Sequence, residues 1–195
     1  MKRAFDLLVS FLGILFFVPM FIVVSVLIKL TSVGPIFYRQ LRVGEHNKDF
    51  KIFKFRTMRV DSDKSGLLTV GERDPRITRL GFFLRKYKLD ELPQLINVFI
   101  GQMSFVGPRP EVRKYVDLYS LEQMAVINVK PGITDLASIE FRNENEILLT
   151  KDDPNQYYIG VIMPEKIKIN LRYIESSTVW KDVSVIFKTF SVIFK

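Results

Sequence analysis

The sequence predicts a mainly helical α+β protein with one small β-hairpin, joined to a membrane by an N-terminal helix. Three observations support this prediction. Residues 7–28 carry no charged side chain and are almost entirely apolar. Short apolar and aromatic runs flank a polar turn at residues 44–47. Further along the chain, apolar residues recur at helical spacing between Pro and Gly signals.

The composition narrows the chemistry that the chain can perform. It has 195 residues, with 29 Lys and Arg against 21 Asp and Glu, and the resulting net charge of +8 favours an anionic partner. Cysteine is absent, which excludes disulfides, a thiolate nucleophile and cysteine-bound zinc. Because His46 is the single histidine, any metal site must use oxygen ligands, which suit Mg²⁺, Mn²⁺ or Ca²⁺.

The apolar run at residues 7–28 has the length of a membrane helix, which needs about 20 apolar residues. A cleaved signal peptide is the main alternative, but its apolar core is shorter, about 7–15 residues. Basic residues flank both ends of the run, and Pro19 lies near its middle. Basic flanks mark cytoplasmic ends and proline kinks a helix, so these features suit a re-entrant helix that returns to the same face. A straight spanning helix that tolerates the proline is an equal alternative.

The next predicted elements are two strands that form a hairpin. Residues 36–38 and 50–58 are rich in aromatic and β-branched side chains and flank the turn at residues 44–47. The second run interleaves Phe with Lys and Arg, a pattern also typical of nucleic-acid surfaces, although a strand with one basic edge explains it equally well. The polar residues 61–66 predict a mobile surface loop.

Helices are predicted for most of the remaining chain. Asp74 followed by Pro75 is typical of a helix start, with Asp as the N-cap. Helical spacing then predicts helices over residues 89–101 and 112–128. Residues 180–194 place Trp, Val, Ile and Phe on one helical face. That face fits an interfacial amphipathic helix at a membrane, and equally a helix docked on the domain core.

The adjacent carboxylates of Asp90 and Glu91 are the most informative acidic residues. We expect Asp90 to cap a helix, where the helix dipole favours a carboxylate that can attack phosphorus or bind Mg²⁺. Taken alone, such a pair is more often ordinary capping. Arg85 and Arg109 on either side favour a phosphate-bearing substrate, because guanidinium groups match phosphate oxygens. Surface salt bridges are the alternative explanation.

Several ordered motifs resemble the bacterial sugar transferases, the small monotopic polyprenyl-phosphate phosphoglycosyl transferases that begin many glycan pathways. The motifs extend over almost the whole chain. They lie at residues 2–6, 42–44, 50–58, 89–98, 101–111 and 130–134. The most specific is LDELPQLINV at residues 89–98, which contains the Asp90–Glu91 pair.

The resemblance implies a covalent mechanism. Asp90 would attack the β-phosphorus of a UDP-sugar, UMP would leave, and undecaprenyl phosphate would then accept the phosphosugar. Glu91 would be the second catalytic residue and the ligand of Mg²⁺, with Mn²⁺ as a substitute. The implied substrate-binding residues are basic side chains of the matched regions: Lys54, Arg56, Arg85, Arg109 and Arg142.

The resemblance also implies an organisation and a location. Residues 1–30 would form a membrane-embedded helix-break-helix kinked at Pro19, and residues 31–195 a catalytic domain on the cytoplasmic face of the bacterial inner membrane. The predicted partners are a UDP-sugar, undecaprenyl phosphate and membrane lipids, without nucleic acid, and a homo-oligomer is also compatible. The alternative function is a membrane-tethered basic binding module without catalysis, which would tolerate neutral replacement of the Asp90–Glu91 pair.

Overall fold

The computed structural model describes residues 1–62 and 74–193, and within them helices predominate over two small two-stranded sheets. The helices are α1 Lys2–Thr31, α2 Arg79–Lys86, α3 Gln94–Ile100, α4 Arg113–Val116, α5 Leu136–Glu140, α6 Glu144–Leu149, α7 Pro154–Tyr157, α8 Met163–Glu175 and α9 Val179–Ile193. The strands are β1 Phe37–Val43, β2 Asp49–Phe55, β3 Ser104–Val106 and β4 Gly132–Thr134. The predicted fold class is confirmed. The predicted loop at residues 61–66 lies outside the described residues, apart from Asp61 and Ser62.

Helix α1 is long and apolar enough to cross a membrane, and it is the one helix of the described residues with this property. Only 11% of its most apolar stretch is buried against the rest of the protein, so it is not a core helix. The helix continues through Pro19 without an interruption. Proline removes one backbone donor and kinks a helix while both flanking segments stay helical. The structure therefore shows no break within α1, and the re-entrant course stays a prediction.

Both ends of α1 contact the remainder of the protein. Near the start, Arg3 donates to the carbonyl oxygens of Val98 and Phe99 at the end of α3, at 2.6 and 2.8 Å. Near the other end, Val24 and Ile28 are buried in a cluster with side chains of β2 and α2. Helix α1 therefore lies along the domain, with its opposite face apolar and exposed.

The predicted hairpin is confirmed, with longer strands than the sequence indicated. Strands β1 and β2 pair antiparallel from Phe37 opposite Phe55 to Val43 opposite Asp49. The fully buried amide of Asn97 on α3 joins this hairpin to the helix, because it accepts from the backbone of β2 and donates to the Lys51 carbonyl, each at 2.9 Å. This contact fixes β2 beside the start of α3.

Two helix predictions are wrong in detail. Helix α2 begins after Thr78, whose hydroxyl accepts from the Gly81 amide, whereas Asp74 binds the Arg76 guanidinium instead of capping a helix. The predicted helix at residues 112–128 is broken into α4 and a short 3₁₀ segment, Gln123–Asn128. The break coincides with reciprocal hydrogen bonds between Ser120 and Gln123, a capping box that starts a new turn.

The apolar face of the C-terminal helix docks on the domain, and its contact with a membrane stays a prediction. In α9, Val185 is buried against β3 and α8, so the helix docks on the domain. The side chains of Trp180 and Phe187 are nevertheless 84% and 70% exposed. Exposed aromatic side chains on a docked helix suit contact with a membrane surface.

Candidate active site

A cavity of about 670 Å³ lies between the hairpin, α1, α8 and α9. Charged side chains from several elements gather on its lining: Arg42, Lys54, Arg85, Lys88, Asp90, Glu91, Arg109, Glu111, Arg142, Glu144 and Lys166. Apolar residues of the two exposed helices complete it: Val9 and Phe17 from α1, and Ile186, Phe190 and Val192 from α9. The cavity thus joins a charged region to the two helices that expose apolar side chains.

Asp90 lies in a short 3₁₀ turn, Leu89–Glu91, between α2 and α3. The prediction that it caps a helix is wrong, because its side chain accepts no capping hydrogen bond and Pro93 precedes α3. Lys88 adopts a left-handed conformation with φ 55°, which ends α2 and turns the following residues inward. As a result Asp90 is only 7% exposed.

Few hydrogen bonds compensate for the burial of the Asp90 carboxylate. Its Oδ1 is buried and has no hydrogen-bond partner among the described residues. Burial, reinforced by the negative charge of Glu91, raises the pKa of Asp90 to about 6, against the opposing effect of Lys54. Asp90 belongs to the cavity lining, although Oδ1 itself is enclosed by protein atoms. With its pKa at about 6, the carboxyl group is mostly ionised at neutral pH.

Glu91 is held by two cations. Lys54 Nζ lies 2.9 Å from Glu91 Oε1, and Arg109 donates through both terminal nitrogens, one of them 3.1 Å from Oε2. Burial alone would raise the pKa of Glu91, but Arg109 and Lys54 hold it well below its usual range. The two neighbouring carboxylates therefore differ, since one is fully paired and the other has a free oxygen atom.

The structure brings most of the predicted site residues together. Lys54, Arg85, Arg109 and Arg142 all line the cavity that contains the two carboxylates. Arg56 does not: it lies outside this lining, and its Nη2 donates to the backbone and hydroxyl oxygens of Ser32, at 2.8 and 2.7 Å. The described contacts give Arg56 a role in joining β2 to the end of α1, and none that brings it to Asp90.

One charged cluster of the lining was missed by sequence reasoning. Glu111 accepts from Arg42 at 3.1 Å, from the Val112 amide at 2.9 Å and from the Tyr158 hydroxyl. Arg42 also donates to the carbonyl of Pro110. Both Arg42 and Glu111 lie in motifs that resemble the family, so the sequence could have indicated them as site residues. Only the fold shows that their cluster fixes the C-terminal side of the loop after β3, which carries Arg109.

Mg²⁺ is the metal ion that the sequence predicts for this site. No group of three or more His, Asp or Glu side chains in the described residues is arranged to hold a metal ion. Mg²⁺, however, is commonly bound by one or two carboxylates together with substrate phosphates. Asp90 supplies a carboxylate with one oxygen that has no hydrogen-bond partner. Both oxygens of Glu91 already accept from Lys54 or Arg109, so a metal ion would share them with these cations. The residues therefore fit a Mg²⁺ ion that binds with a phosphorylated substrate.

Comparison with known proteins is consistent with this arrangement. The sequence model of a family described as "Bacterial sugar transferase" matches residues 1–195. A relative from Aeromonas hydrophila, named UDP-N-acetylgalactosamine-undecaprenyl-phosphate N-acetylgalactosaminephosphotransferase, is 38% identical over 195 residues and matches 98% of this chain. A relative from Klebsiella pneumoniae, named UDP-glucose:undecaprenyl-phosphate glucose-1-phosphate transferase, is 38% identical over 192 residues and matches 96% of it.

The relatives differ in length. The chain spans 43% of the Aeromonas protein and 39% of the Klebsiella protein. It spans 83% of the exopolysaccharide production protein ExoY of Rhizobium meliloti, to which it is 32% identical with 96% of this chain matched. The shared region therefore contains the whole described site.

Proposed function

Because the chain belongs to the bacterial sugar transferase family, we propose that it transfers a sugar 1-phosphate from a UDP-sugar to undecaprenyl phosphate, an early step in the synthesis of a bacterial glycan. The observation that carries this proposal is the buried Asp90 carboxylate, which has an oxygen without a hydrogen-bond partner and belongs to the lining of a cavity that also carries basic side chains. Nucleophilic attack on phosphorus requires an ionised oxygen with a free lone pair, and phosphate groups require compensating positive charge.

Asp90 is the proposed nucleophile of a two-step transfer. Its oxygen forms a bond to the β-phosphorus of the UDP-sugar, and the bond from that phosphorus to the UMP oxygen breaks, so UMP leaves with the electron pair. An oxygen of undecaprenyl phosphate then attacks the same phosphorus and releases the Asp90 carboxylate. Two displacements of this kind give a lipid diphosphosugar and return the enzyme unchanged.

The paired cations stabilise the charge that accumulates on the phosphoryl oxygens. Arg109 and Lys54 are kept in place by Glu91, and Arg85 lines the same cavity. Positive charges that are held in place before the reaction stabilise a phosphoryl transition state without reorganisation. Mg²⁺, when bound by Glu91 with the substrate phosphates, supplies further neutralisation of the diphosphate.

The lipid substrate suits the apolar part of the cavity. Val9 and Phe17 of α1 and Phe190 of α9 line the same space as the carboxylates, and both helices expose apolar side chains. A polyprenyl chain can therefore stay in the membrane while its phosphate reaches Asp90. This arrangement removes the need to extract an insoluble chain into water.

The proposal predicts a direct measurement. The purified protein is expected to release UMP from at least one member of a panel of UDP-sugars when undecaprenyl phosphate and Mg²⁺ are present. The labelled sugar should appear in the lipid fraction. A protein that binds undecaprenyl phosphate yet releases no UMP from any of the UDP-sugars would contradict the proposal and favour a membrane-tethered binding module.

We also propose that the catalytic domain and residue Met1 share the cytoplasmic side of the membrane. A straight helix of 30 residues would span about 45 Å at 1.5 Å per residue, which separates its ends by more than a bilayer core. The contacts of Arg3 and of Ile28 with the same domain support a course that keeps both ends on one side.

This topology is testable because the chain lacks cysteine. One cysteine is placed in a short extension before Met1 and another replaces Leu121, which is 95% exposed. We expect both thiols to be protected from an impermeant thiol reagent in intact cells and to react after the cells are opened. Labelling of the extension in intact cells, with Leu121→Cys protected, would show an ordinary spanning helix.

A further inference from the structure

Two polar side chains of the membrane helix hold every residue of β3. Asp6 Oδ1 accepts from the Ser104 hydroxyl at 3.1 Å and from the Phe105 amide at 3.2 Å. Lys2 Nζ donates to the Val106 carbonyl at 2.9 Å. These contacts join the first two turns of α1 to a three-residue strand that lies about a hundred residues away in sequence.

The two carboxylates in these contacts are buried, whereas the side chain of Lys2 is 39% exposed. Asp6 is 2% exposed. Lys2 is paired with Asp182 of α9, which is 3% exposed and also accepts from the Tyr173 hydroxyl. A buried carboxylate that loses its partners is strongly disfavoured. The position of β3 is therefore tied to the position of α1.

Strand β3 leads directly into the loop that carries Arg109. Only Gly107 and Pro108 separate Val106 from Arg109. The Gly107 amide donates to the Thr134 carbonyl at 3.1 Å, and a Cβ atom at Gly107 would lie 2.4 Å from the Lys130 carbonyl oxygen. Strand β3 also pairs with β4, to which the Gly107 amide is bound. Because β3, β4 and the start of the loop are packed as one unit, a shift of β3 is passed on to Arg109.

The other end of the loop is held separately. Pro110 follows Arg109, and Glu111 is fixed by Arg42, by the Val112 amide and by Tyr158. Since these contacts of Glu111 include no residue of α1, the direct contribution of the start of α1 enters the loop through β3. Substitution of Lys2 or Asp6 should therefore disturb the N-terminal side of this loop while the contacts of Glu111 on its C-terminal side remain.

We propose that Lys2 and Asp6 are positioning residues, which place β3 so that Arg109 is aimed at Glu91. The ion pair of Arg109 with Glu91 then forms only when α1 is packed against the domain. In a domain detached from α1, Arg109 would be misaligned. The catalytic consequence of this inference rests on the proposed transferase function, whereas its geometric content does not.

The chain offers a matched pair of variants for the test. Lys2→Gln and Arg3→Gln each remove one positive charge from the same end of α1, so their effect on membrane orientation is equal. Lys2→Gln breaks the contact with β3, while Arg3→Gln breaks contacts with the end of α3. Lys2→Arg keeps a cation that can reach the same oxygens and is the conservative rescue variant.

The geometric readout is the rate at which phenylglyoxal modifies Arg109, followed by peptide mass spectrometry in membranes without substrate. We expect Lys2→Gln to raise this rate at least about threefold, because an arginine released from its carboxylate is more reactive, with Arg3→Gln and Lys2→Arg near the wild type. Equal rates in Lys2→Gln and Arg3→Gln would overturn the proposal. If Lys2→Gln does not fold, Ser104→Ala takes its place, and an unchanged Arg109 rate in that variant likewise overturns it.

The kinetic readout separates positioning from loss of stability. We expect Lys2→Gln to lower kcat for UMP release about tenfold with little change in KM for the UDP-sugar, and Lys2→Arg to restore it. A fall in the amount of folded protein with kcat per folded molecule unchanged would refute the positioning role. If the wild type releases no UMP, the proposed function fails, and the Arg109 modification rates still decide the geometric inference.

Discussion

The Asp90→Asn protein is expected to fold normally and to release UMP at least about 10³-fold more slowly than the wild type, the scale of removing an essential covalent nucleophile. Asparagine keeps the size of the side chain but has no ionised oxygen to attack phosphorus. The measurement is UMP release with undecaprenyl phosphate, Mg²⁺ and the preferred UDP-sugar. Near-normal turnover in the pure variant would contradict the role of Asp90.

Two controls separate chemistry from folding. Asp117→Asn changes an exposed carboxylate whose nearest cation, Arg113, is 3.8 Å away, and it should leave activity unchanged. The Asp90→Asn protein itself should be at least as stable as the wild type at pH 7.5. The pKa of Asp90 is raised in the folded protein, so its ionised form destabilises the fold above that pKa, and this penalty disappears as the pH falls below the unfolded pKa.

The same carboxylate should set the acid side of the pH profile. Because burial, with Glu91 as a second cause, raises the pKa of Asp90 to about 6, the nucleophile becomes protonated as the pH falls through that value. We expect kcat/KM to fall about tenfold per pH unit below it.

Mass spectrometry of the wild type with UDP-sugar alone should show a phosphosugar on the peptide that contains Asp90, and no adduct in Asp90→Asn.

Glu91→Gln is expected to lower activity about 10²-fold or more, or to raise the Mg²⁺ concentration needed for half-maximal rate sharply. The amide leaves Lys54 and Arg109 without the charge that holds them and removes an oxygen ligand that suits Mg²⁺. In the wild type, EDTA should abolish UMP release, and Mg²⁺ or Mn²⁺ should restore it.

A control variant and a stability measurement separate the role of Glu91 in metal binding from its role in the fold. Glu144→Gln changes another carboxylate of the cavity lining, which is paired with Lys166 at 2.7 Å, and it should leave the Mg²⁺ requirement unchanged. Thermal unfolding of Glu91→Gln shows whether the buried cations have destabilised the fold. Full activity of the wild type in excess chelator would refute a metal role for Glu91.

The main elements near the site could be predicted from local patterns. Alternating aromatic residues around a polar turn predict the hairpin, and helical spacing up to Gly101 predicts α3, which ends there with Gly101 at φ 91°. The start of α2 could not be predicted correctly, because Asp74 and Thr78 are both good N-caps. The choice between them depends on Arg76, which binds Asp74, and on the pairing of Ile77 with Met58.

The sequence alone determined the apolar anchor, the basic charge, the exclusion of cysteine and multi-histidine chemistry, and the identity of the Asp90–Glu91 pair, because these properties depend on residue type and order. Only the tertiary structure decided which cation meets which carboxylate. Lys54, Arg109 and Glu91 come from separate segments, and their pairing depends on the packing of the hairpin, the 3₁₀ turn and the loop after β3. The tertiary structure likewise places Arg56 outside the cavity lining and leaves Asp90 Oδ1 without a hydrogen-bond partner. Sequence could not show either, because burial and hydrogen bonding depend on neighbours that are distant in sequence.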